Sequence, residues 1–113
     1  SKRYNSYSEG GIEVYLEGTN VIVKRYNDNA KVFYLKEGEY KEIEPDEQQI
    51  EQPIEELILV IPIVRKWSIH VIKLNIKNGE LLKQDKEYGG LNEIYIDEWI
   101  DERVKDKITD IMY

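Results

Sequence analysis

From Ile12 the chain alternates: Ile12, Val14 and Leu16 are apolar, while Glu13, Tyr15 and Glu17 are not aliphatic. A period of two marks a half-buried strand. Gly18, Thr19 and Asn20 supply a turn, and Val21, Ile22 and Val23 begin a second strand. Asn27, Asp28 and Asn29 mark another turn, because Asn and Asp tolerate left-handed backbone. Residues 32–36 and 40–44 read as two further strands broken at Gly38, and four short strands with tight turns predict an antiparallel meander. Residues 1–11 carry Tyr4 and Tyr7 among Ser, Asn and Gly and are expected to form a flexible N-terminal tail.

The pattern changes at residues 57–64, Leu-Ile-Leu-Val-Ile-Pro-Ile-Val, which hold no polar position. A short run this rich in β-branched residues predicts a strand covered on both faces, with Pro62 at a bulge or edge contact. Residues 67–77 shift phase, with Trp67, Ile69 and Val71 apolar first and Ile72, Leu74 and Ile76 apolar afterwards. Such a shift predicts a bulge or sharp twist at Val71–Ile72. Asn78-Gly79 is the strongest hairpin signal in the chain, with residues 80–83 returning beside it. Ile96, Ile100, Val104 and Ile108 then recur every four residues, continued by Ile111 and Met112, and predict one amphipathic helix over about 93–112. Two starts fit: Asn92 as N-cap, or a last strand at 93–96 followed by a shorter helix capped by Asp97.

These elements make an α+β fold, a single domain over 12–113. It is built from an antiparallel sheet of six to eight short strands with one C-terminal amphipathic helix. Composition agrees, with one Ala beside 16 Ile, 8 Val and 9 Tyr among 113 residues. Ala favours helix, whereas β-branched and aromatic residues suit a pleated surface. With no Cys and one His, disulfide scaffolds, thiolate metal sites and thiol catalysis are excluded, and so is a His-rich metal site within one chain. The longest apolar run is eight residues, against about 20 for a membrane helix, and no apolar run resembles a leader. A cytoplasmic protein is expected.

Charge changes the picture more. The total of −7 hides an uneven distribution. Residues 37–56 hold nine acids against Lys41, bracketed in their second half by Pro45 and Pro53, and read as an acidic connecting segment pinned by Ile50 and Ile54. Residues 57–86 hold six cations against two acids, and residues 87–113 three cations against eight acids. The basic stretch offers Arg65, Lys66, Trp67, Lys73, Lys77 and Lys83 as a surface that could track a phosphate backbone and stack a base. The C-terminal acids Asp97, Glu98, Asp101, Glu102 and Asp106 fall four apart on the expected helix. They form a candidate surface for a basic partner.

That carboxylate spacing could hold Mg²⁺ through waters, but it fits a solvated helix face better, with Asp101 and Lys105 as a supporting pair. Ser68 and His70 share a strand face without the strained turn of a serine nucleophile, so no catalytic group is expected. No cofactor and no metal is expected either. Trp99, Met112 and Tyr113 are candidate dimer contacts. The expected function is a small non-enzymatic protein-interaction module that associates with itself as a homodimer. Two alternatives are an acidic decoy for a nucleic-acid-binding enzyme and a weak binder of single-stranded nucleic acid through residues 65–86.

Overall fold

A computed structural model describes residues 2–5 and 11–108. Among these residues nine strands occur: β1 (Arg3–Asn5), β2 (Ile12–Glu17), β3 (Asn20–Arg25), β4 (Lys31–Lys36), β5 (Glu39–Glu42), β6 (Gln49–Glu51), β7 (Glu56–Ile63), β8 (Ser68–Lys77) and β9 (Glu80–Tyr88). Two short helices follow, α1 (Leu91–Ile96) and α2 (Glu102–Ile108). The strands form two sheets, not one, in the orders β1-β2-β3-β6 and β5-β4-β7-β8-β9, and every pairing is antiparallel.

The chain leaves the first sheet after β3 and returns to it once, at β6. The acidic segment therefore splits between layers: β5 edges the larger sheet and β6 the smaller. Ile43, Ile50 and Ile54 are buried, while Glu44, Asp46 and Glu47 face solvent. One apolar core lies between the sheets, with Val14, Val21 and Val23 meeting Leu57, Leu59, Ile72 and Leu74. A second core lies on the other face of the larger sheet, where Phe33, Ile58, Val60, Ile69 and Val71 meet Ile94, Ile100, Val104 and Ile108. Each buried aliphatic side chain contributes about 1.5–3 kcal/mol relative to exposure.

Two cores explain the phase shift in β8. Its register runs without interruption against both β7 and β9, so there is no bulge at Val71–Ile72. Ile69 and Val71 face the helices, whereas Ile72 and Leu74 face the smaller sheet. A strand buried on both faces has no single apolar phase. Pro62 sits in β7 opposite Ile69 without a bulge and beyond Val60, where the pairing with β4 ends, so the edge contact is the alternative that holds.

Other expectations also change. Residues 3–5 of the expected tail are strand β1, with Tyr4 buried opposite Val14 and Arg3 paired to Glu13. The single helix over 93–112 is two helices broken at 97–101. There Asp97 accepts from the Trp99 N–H and Asp101 from the Arg103 N–H, both at 2.9 Å. These side-chain bonds offer the backbone an alternative to a continuous helix. Ile111, Met112 and Tyr113 lie outside the described residues.

Candidate interaction surface

Both ends of β8 are turns, and they are built differently. At its C-terminal end Asn78 (φ 54°) and Gly79 (φ 75°) form the expected two-residue turn with left-handed backbone at both positions. At its N-terminal end Val64–Lys66 make one 3₁₀ turn that closes on Trp67, whose N–H donates to the Val64 carbonyl at 3.3 Å. Trp67 takes φ 52° and ψ 41°, the left-handed region, where a bulky side chain is an outlier. The turn leaves Trp67 70% and Val64 66% exposed, with Arg65 and Lys66 exposed between them. Two large apolar groups and two cations thus share one tip. Sequence reasoning placed Val64 in the buried strand and missed it here.

The remaining expected basic residues do not join this tip. Lys77 stands at the far end of β8, roughly 30 Å away at about 3.3 Å per residue. Lys73 lies over the Trp99 ring, 4.7 Å from its centroid, and donates to the Trp99 carbonyl at 2.9 Å. Lys83 pairs with Asp85 at 3.0 Å and stands over Tyr4. Lys66 stands 3.9 Å from the Glu87 carboxylate. A continuous basic face over 65–86 is not formed, because side chains alternate across a strand and Lys73 and Lys83 point to opposite sides.

The acidic set is dispersed as well. Asp97 ion-pairs with Lys86 at 2.5 Å, and Asp101 with Arg103 at 2.8 Å. The Lys86 ammonium, then the Trp99 N–H, lower the Asp97 pKa to about 2, and Arg103 lowers that of Asp101 to about 2. Both therefore serve the connection between the helices. Glu98, Glu102 and Asp106 are exposed, but the break at 97–101 removes the helical spacing between Glu98 and Glu102. Among the described residues no group of three or more metal-ligating side chains converges. The expected dimer contact Trp99 is half-buried against the second core beneath Lys73. Met112 and Tyr113 lie outside the described residues.

The Ser68 hydroxyl donates to Glu87 at 2.9 Å, not to His70, and His70 Nε2 stands 3.9 Å from Asp85, beyond hydrogen-bond length. A shallow depression beside β3 and β5 is lined by Arg25, Asn27, Asp28, Lys31, Glu42 and Pro45. There the Arg25 guanidinium is held by the carbonyls of Ile43 and Glu44. No described helix is long and apolar enough to cross a membrane. Compared with protein-family models, with curated proteins and with solved structures, the chain matches none of them.

Proposed function

We propose that the chain is a non-enzymatic protein-interaction module, self-associating, that meets a protein partner through the Val64–Trp67 tip. One observation carries this reading: a 70%-exposed Trp67 held in left-handed backbone. Such a conformation costs about 1–2 kcal/mol for an L residue, and glycine would be free of that cost. Trp and Arg are the residue types that most often dominate protein interfaces, so an exposed indole beside Arg65 is an anchor of the right chemistry. The strain and exposure run against folding, which leaves contact as their use.

Capture from the native host with wild type and with Trp67→Gly tests this. A partner held by wild type should be lost from Trp67→Gly although that variant unfolds no earlier. If every captured protein is retained equally by Trp67→Gly and by Val64→Ser, the tip is not the contact. Sedimentation tests self-association, where a 13.4 kDa monomer at high micromolar concentration removes it.

A second reading has one observation in its favour, the Arg65 and Lys66 pair flanking an exposed indole. Single-stranded nucleic acid is bound by cations that track phosphates and rings that stack bases. Indole fluorescence that stays flat on adding an oligonucleotide at low salt ends that reading.

A further inference from the structure

Strand β9 ends the larger sheet, and among the described residues no strand pairs with its outer side. It is nine residues long, and Leu82–Glu87 are exposed throughout. We infer that β9 is the self-association surface, pairing antiparallel with β9 of a second copy about a twofold axis at Gln84. This rests on the self-association of the chain and adds its location and register.

Backbone geometry limits the choice. The two-residue turn makes Lys77 and Glu80 a hydrogen-bonded pair, so Leu82, Gln84 and Lys86 also spend their main-chain groups on β8. Consistently, the Ile76 N–H points the other way, to the Glu55 carbonyl at 3.4 Å. The outward N–H and C=O groups therefore belong to Leu81, Lys83, Asp85 and Glu87. A twofold partner must align these odd-numbered positions with each other.

Three central registers do so. An axis at Leu82–Lys83–Gln84 centred on Lys83 sets Lys83 against Lys83, and one centred on Asp85 sets Asp85 against Asp85. The axis at Gln84 sets Lys83 opposite Asp85 twice, Leu82 opposite Lys86 twice, and Gln84 opposite itself, with no like charges facing. Charge on an edge strand commonly keeps other strands away. Here the sequence Lys83-Gln84-Asp85 is complementary to its own reverse, which ordinary guarding does not require. Within one chain Lys83 and Asp85 already stand 3.0 Å apart, so the dimer would place four charges of alternating sign across the axis. Edge pairing alone buries little surface, so the dimer is a weak, concentration-dependent one.

Gln84 facing Gln84 across a non-hydrogen-bonded pair would put the two Cα atoms about 4.5 Å apart, within reach of a disulfide. The chain has no cysteine, so cross-linking is clean. Gln84→Cys should form a covalent dimer under mild oxidation. Leu82→Cys and Lys86→Cys should each stay uncross-linked alone but join when mixed. Lys83→Glu or Asp85→Lys should weaken the dimer about tenfold or more, and the double exchange should restore it. If sedimentation finds a dimer but Gln84→Cys cross-links no faster than Leu82→Cys, the chain associates through another surface and this inference falls alone. If the chain is a monomer at high micromolar concentration and no variant cross-links, self-association itself falls.

Discussion

The two ends of β8 make opposite use of the same physics. At the Asn78 end, left-handed backbone falls on Asn and Gly, the residues that adopt it most cheaply. On the helix-covered face of the same end, the Tyr40 hydroxyl donates to Glu56 at 2.8 Å, and Asn75 donates to the other Glu56 oxygen at 3.3 Å. At the Trp67 end, left-handed backbone falls on the bulkiest side chain of all. On the helix-covered face there, the buried Tyr88 hydroxyl completes no hydrogen bond among the described residues, although the Asp97 carboxylate is near enough to act on it. One end obeys every local rule and the other breaks two. Because both ends belong to one strand in one sheet, the fold does not force the exceptions. They are where selection for something other than stability is to be sought.

The sharpest way to break the contrast is to exchange the turn residues. Gly79→Trp, at φ 75°, should cost about 1–2 kcal/mol, read from the urea midpoint at unchanged slope. A neutral result would mean that the backbone relaxes easily and that Trp67 is not strained. Next in size, Tyr40→Phe removes a partner from a part-buried carboxylate and should cost roughly 1.5 kcal/mol. Burial, then the bond to Glu56, raises the Tyr40 pKa, so the hydroxyl is the donor throughout the ordinary pH range. Trp67→Gly should do the reverse of Gly79→Trp and stabilise by about 0.5–1 kcal/mol, the relieved strain less the entropy glycine adds to the unfolded chain. A clear loss of stability would make Trp67 a structural residue and remove the case for the tip.

Tyr88→Phe is expected to change stability by less than about 0.5 kcal/mol, or to raise it, since it deletes a hydroxyl whose desolvation is not repaid. Burial, then Asp97, pushes the Tyr88 pKa up. A loss comparable to that of Tyr40→Phe would show a working bond to Asp97 and erase the difference between the two ends.

What could be read in advance follows this division. The Asn78-Gly79 hairpin was legible because its chemistry is local. So was most of β7, whose residues 57–63 leave no polar face. The split into two sheets was not legible, because which strand lies beside which depends on contacts far apart in sequence. The β8 phase shift was misread as a bulge for the same reason: only the second core shows that both phases are used. The helix break did carry a signal, since Asp97 and Asp101 each precede a backbone N–H by two residues, an arrangement that competes with helix. Of the tip, Trp67 and its cations were visible as residue types. Their exposure came from a backbone conformation that no pattern of apolar residues encodes.

The smallest effect is expected in acid, and it tests whether the Trp67 end is held by charge. Asp97 titrates at about 2 in the folded chain, against an ordinary 3.8, because Lys86 and the Trp99 N–H favour its ionised form. A depressed carboxyl pKa stabilises the fold fully above the unfolded value, and that contribution disappears as pH falls through the folded value. Wild type should therefore lose this contribution between about pH 4 and 2, while Asp97→Asn should not. Asn can still accept from the Trp99 N–H, so the variant removes the charge and keeps the turn at 97–99. Melting temperatures from pH 7 to 2 should show a gap between wild type and Asp97→Asn that is constant above pH 5 and closes in acid. Because the carboxylate is reached by solvent, added salt should narrow the gap as well. A gap independent of pH would assign the role of Asp97 to that turn alone, leaving the ion pair with Lys86 without weight.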